Sequence, residues 1–133
     1  MKSLKFLSLL VFVLFSLTSI GQIKSGIVAD FGSNDKVISH ESNQAVVNLK
    51  ILATDDQMKN IKAAAAKFSM HSTFVFSDTK DAQGFISITI KSKLHKDITA
   101  DKHYLQKLMY DFNVERFVFK SIGYQIDKLS DII

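Results

Sequence analysis

The sequence predicts one small α+β domain carried behind a signal peptide. Three observations predict it. Residues 1–21 place two lysines ahead of an apolar run that ends in small residues. Residues 45–51 and 85–91 alternate with a period of two, the mark of half-buried strands. Each of these stretches leads into a segment whose apolar residues recur at helical spacing.

In the leader, Lys2 and Lys5 form a basic start, and residues 9–15 are an unbroken apolar run. That run is far short of the ~20 residues a spanning helix needs, which favours a cleaved signal over a retained anchor. Ser19 and Gly21 put small side chains where a signal peptidase requires them, so cleavage is expected between Gly21 and Gln22. The expected location is extracytoplasmic, periplasmic or secreted, with no stable membrane insertion after cleavage. The chain of 133 residues contains no cysteine, which excludes disulfides and acylation on an N-terminal cysteine.

Past the leader, the remaining length suits one domain with a core of its own. The two leader lysines account for half of the formal charge of +4. Arg116 is the sole arginine, whereas bidentate phosphate recognition favours the planar guanidinium. Composition and export together argue against a nucleic-acid partner.

Residues 22–43 are polar and broken. Two short apolar runs there flank Gly32, Ser33, Asn34 and Asp35, which reads either as a hairpin or as a flexible lead-in. The first clear strand follows at 45–51. Thr54 and Gln57 then form a capping box, with Asp55 and Asp56 in a first turn that favours negative charge. Met58, Ile61, Ala64, Ala65 and Phe68 fall on one arc of that helix. Residues 72–78 and 85–91 read as two strands of a hairpin, with Gly84 closing the polar link. Thr99 is expected to cap a second helix, with Asp101 in its first turn and Tyr104, Leu105, Leu108, Met109 and Phe112 on its buried face. Asn113 is the expected stop, and residues 116–126 read as one last strand in which Gly123 marks a bulge or an end.

This order, strand-helix-strand twice, is the ferredoxin-like βαββαβ plan: a four-stranded antiparallel sheet with two helices on one face. The expected domain limits are 1–21 for the signal peptide, 22–43 for the lead-in and 44–128 for the ferredoxin-like domain. In element order over about residues 45–126, the chain resembles the heavy-metal-associated domain family. That family carries two cysteines, three apart, where the first strand runs into the first helix. Here those positions fall on Asp56 and Lys59, and neither supplies the thiolate a soft ion requires. The resemblance implies the fold and no metal ligand. A likeness to the RNA-recognition motif is weaker. Residues 83–90 keep Gly84 and Phe85 but have Ser87 where a second stacking ring belongs.

No cofactor is expected, and neither a glycine-rich phosphate loop nor a nucleophile elbow is present. Asp55 and Asp56 diverge on their helix and are explained by capping. His71 precedes Ser72 but has no catalytic setting. Of the four histidines, His95 and His103, with Asp97, form the one conceivable metal set, and surface placement is the preferred reading. In the last strand Phe117 and Phe119 alternate with Val118, so one set faces outward, and with Val46, Val75 and Phe85 it marks a sheet face that a partner or a homodimer would bury unless residues 22–43 cover it. The expected function is a non-enzymatic module for an unknown protein or small ligand. The competing readings are a periplasmic metal-handling protein using histidine and carboxylate, and a small hydrolase.

Overall fold

The computed structural model describes residues 26–133. The signal peptide read at 1–21 lies outside the described residues. Strands β1 (Val28–Asp30), β2 (Ile38–Glu41) and β3 (Gln44–Leu52) lead into helix α1 (Asp55–Ala66), followed by β4 (Ser72–Phe76) and β5 (Phe85–Lys93). Helix α2 (Ile98–Asp111), the hairpin β6 (Arg116–Phe119) and β7 (Ile122–Gln125), a 3-10 turn (Ile126–Lys128) and the short α3 (Leu129–Ile132) complete the chain.

The architecture corrects the ferredoxin-like expectation. The strands form one seven-stranded mixed sheet in the order β4-β5-β3-β1-β6-β7, with β2 also paired to β3, and three helices accompany it. The segment expected to lead into the domain supplies two of those strands. Both run antiparallel to β3 along the same edge, β1 against Lys50, Ile51 and Leu52, and β2 against residues 44–47. Phe31 and Gly32 still bond to the β6 side, the Phe31 amide donating to the Val118 carbonyl at 2.9 Å and the Lys120 amide to the Gly32 carbonyl at 2.8 Å. Residues 33–37 then leave the sheet, so Gly32 to Asp35 begin an excursion and do not form a hairpin loop. Strand β1 also pairs in parallel with β6, and it thereby separates the last part of the chain from β3.

The tight turns fall elsewhere. Ser42 and Asn43 have φ of 50° and 63°, and Lys120 and Ser121 have φ of 53° and 66°. Two consecutive positive φ values are the type I′ geometry that joins strands through two residues. The second of these turns splits the expected 116–126 strand into β6 and β7.

Helix α1 begins as its capping box requires: the Gln57 amide donates to Thr54 Oγ1 at 3.1 Å, and the Thr54 amide donates to Gln57 Oε1 at 2.8 Å. Helix α2 starts earlier than expected. Asp97, not Thr99, is the cap, accepting from the Ala100 amide at 2.9 Å. Both residue types can cap, but a carboxylate adds a favourable interaction with the helix dipole. At its other end Asn113 takes a φ of 61°, and the Val114 amide donates to the Met109 carbonyl at 3.0 Å. This is a Schellman ending that satisfies the last carbonyls.

The core lies between the sheet and the helices. Ala45, Val47, Leu49 and Ile51 of β3, Ile86, Ile88 and Ile90 of β5, and Phe117 and Phe119 of β6 meet Met58, Ile61, Leu105, Leu108 and Phe112. The opposite face carries Asn48, Lys50, Ser87 and Lys91, and the Thr89 hydroxyl donates to Asn48 Oδ1 at 2.7 Å across its centre. Of the apolar residues read as marking that face, Val46 is buried, Phe85 and Val118 are half-buried, and Val75 is 64% exposed. No helix among the described residues is long and apolar enough to cross a membrane.

Candidate functional site

The polar chemistry gathers at the end of the sheet where β3 begins and β5 ends. Register places it there: Ala45 pairs with His40 on one side and with Ser92 on the other, and Ser92 pairs with Ser72. His71 therefore sits at the head of β4, and its carbonyl accepts from the Lys93 amide at 3.1 Å. His95 follows β5 directly, in the link to α2.

Asp101 is the centre of this group. It lies in the first turn of α2 and is only 4% exposed. Its Oδ1 accepts from the His95 amide at 3.1 Å and from His95 Nδ1 at 2.7 Å, and its Oδ2 accepts from His40 Nε2 at 3.3 Å. Burial pushes the Asp101 carboxyl upward. Hydrogen bonds from the His95 ring and backbone and from His40 outweigh that effect and hold it below the ordinary carboxylate value.

An ionised carboxylate can only accept, so His95 carries its proton on Nδ1. In the neutral ring Nε2 is then the acceptor, and His71 Nε2 donates to it at 2.9 Å. Asp101, His95 and His71 thus form a directed chain from the helix to the surface. The Tyr104 ring packs against both imidazoles, with centroids 4.8 Å from each. Its hydroxyl lies 2.6 Å from Ser72 Oγ, which is also 2.7 Å from Ser92 Oγ. Burial, then the His95 and Lys93 charges, lowers the His71 pKa below the usual imidazole value. Burial likewise raises that of Tyr104.

Of the residues singled out from sequence, His95 is in this group. Asp97 is not: its carboxylate caps α2 at Ala100. His103 is exposed, two residues beyond Asp101 and so on another side of the helix. The set His95, Asp97 and His103 is therefore not brought together, and among the described residues no three or more histidines, aspartates or glutamates converge as a metal-ligand group. The missed members are Asp101, His40 and His71. One signal was available: Ser72 and Ser92 occupy inward positions on strands that are otherwise apolar there. The Ser72 hydroxyl contacts Ser92 and Tyr104 rather than His71, so no serine–histidine pair is assembled.

Beside His40 a cleft of about 550 Å³ opens between β2, the preceding excursion and the start of α2. Val37, Ile38, Ile98 and Ile133 supply apolar lining, and Lys36, Lys102 and His40 supply basic or polar groups. Asp35 also borders the cleft, but its carboxylate is paired with Lys120, which holds its pKa low. Among the described residues neither Lys36 nor Lys102 is in an ion pair. The fit is that of a small-molecule site, which typically combines an apolar lining with a few polar groups in about 300–1,000 Å³.

The chain matches no family model, no curated protein and no solved structure. The likeness to heavy-metal-associated domains is neither supported nor opposed by these comparisons.

Proposed function

We propose that this protein is a non-enzymatic binding module acting outside the cytoplasm, and that its ligand is a small organic carboxylate with an apolar body. The observation that carries this reading is the cleft between β2 and α2, where Lys36 and Lys102 border an apolar lining without ion-pair partners among the described residues. The apolar part of the ligand would lie on Val37, Ile38 and Ile98, and its carboxylate would face the two ammonium groups. Ile98 is 43% exposed, so a ligand there would remove apolar surface from water. His40 forms part of the wall, and its Nε2–H, already donated to Asp101, links the cleft to that carboxylate. The leader over residues 1–21 supports the location.

Titration calorimetry with decanoate tests the reading. Saturable binding should weaken at least tenfold in Lys36→Glu with Lys102→Glu, and decylamine, with a similar tail and the opposite charge, should not bind. Equal binding of both amphiphiles, or binding indifferent to the lysines, would reject the carboxylate site.

A further inference from the structure

We infer that His71 and His95 form a binding site for an exchangeable first-row divalent ion of the zinc–copper class, held between their Nε2 atoms. This site uses different ligating groups from the carboxylate cleft and stands or falls apart from it.

The two Nε2 atoms face each other at 2.9 Å. Two imidazoles bound to a tetrahedral ion at ~2.0–2.1 Å have nitrogens roughly 3.3 Å apart. A separation of the rings by a few tenths of an ångström converts the hydrogen bond into a coordination gap. Imidazole suits zinc and copper, whereas magnesium and calcium select oxygen ligands.

The rings are also held as ligands are held. His95 donates Nδ1–H to the Asp101 carboxylate at 2.7 Å, the outer contact that fixes a coordinating imidazole's tautomer and makes it a better donor. Asp101 is itself fixed by the His95 amide and by His40. Tyr104 packs against both imidazoles and limits their rotation. The His95 side chain is 24% exposed, so the ion has a route from solvent.

The ion takes the place of the proton that now lies between the rings. That proton leaves His71 Nε2 for solvent, while the proton on His95 Nδ1 stays against Asp101. Two protein ligands leave coordination positions for water or for a donor on another molecule. Closed structural zinc sites have four protein ligands and catalytic ones three, so two imidazoles make a still more open site, from which the ion exchanges. It lies at the opposite end of β3 from Asp56 and Lys59, so it is unrelated to the position where heavy-metal-associated domains carry their cysteines.

The test is titration of the purified protein with zinc alone, followed by calorimetry and by imidazole nitrogen NMR. One saturable equivalent is expected, with the Nε2 resonances of His71 and His95 moving together. His71→Ala and His95→Ala should each weaken binding at least tenfold, and His103→Ala should bind as the parent does. His71→Phe retains a ring against Tyr104, so loss of zinc there in a folded protein reports the lost ligand and not lost packing. No saturable zinc binding, undiminished binding in the His71 and His95 variants, or dependence on His103 would each overturn the site.

Discussion

Replacing Asp101 by alanine removes a carboxylate that accepts three hydrogen bonds while almost wholly buried. The His40 ring is half exposed and can turn to water, so its bond contributes little. The His95 amide and Nδ1 lose a charged acceptor, and bonds of that kind contribute about 1.5–3 kcal/mol each. Desolvation of the carboxylate is relieved by the substitution and offsets part of this. The net destabilisation is about 2–4 kcal/mol, which for a domain of this size lowers Tm by roughly 10–20 °C. Urea denaturation followed by circular dichroism, with a chelator present, measures it. The sign with pH follows from the depressed carboxyl pKa in the folded state. The Asp101 contribution is present above the unfolded value of about 3.9 and is lost as pH falls through the lower folded value. The gap between parent and variant should therefore be full at neutral pH and narrow in acid. A variant within about 0.5 kcal/mol of the parent at neutral pH, or a gap that does not shrink in acid, would refute this account of Asp101.

Three further substitutions probe the fold. Thr54→Ala removes the hydroxyl that accepts from the Gln57 amide, leaves the backbone amide of residue 54 donating to Gln57 Oε1, and should cost about 1 kcal/mol in urea denaturation. Ser121→Gly relieves a φ of 66° in the β6–β7 turn and, after the entropy glycine adds to the unfolded chain, should stabilise by about 0.5 kcal/mol. Ala29→Leu overfills a fully buried position on β1 and should destabilise by about 1–3 kcal/mol, whereas a flexible lead-in would tolerate it without change.

The parts of the fold legible in the sequence were those whose local signal agrees with their tertiary role. Thr54 with Gln57, the alternation through Ile86, Ile88 and Ile90, and Asn113 at the end of α2 each state their structure within a few residues. Strands β1 and β2 were not legible as sheet members because they are three and four residues long and break around residues 31–37. Their place depends on the edge of β3, which no local pattern encodes. Both two-residue turns lack the glycine that usually marks type I′ geometry, so Ser42–Asn43 and Lys120–Ser121 gave no hairpin signal. The same limit applied to the site. His95 and Asp101 are near in sequence, but His71 arrives through the pairing of β4 with β5, and His40 through that of β2 with β3. Asp97 and Asp101 are alike in sequence. Only the course of α2 decides that one caps the helix and the other turns inward.

Amide chemical-shift mapping with decanoate tests the proposed binding function most directly, because it reports position as well as affinity. The account predicts saturable shifts at Lys36, Val37, Ile38, His40, Ile98 and Lys102, with the polar sheet face at Asn48 and Ser87 unmoved. Shifts centred on that face, or none at saturating decanoate, would contradict it.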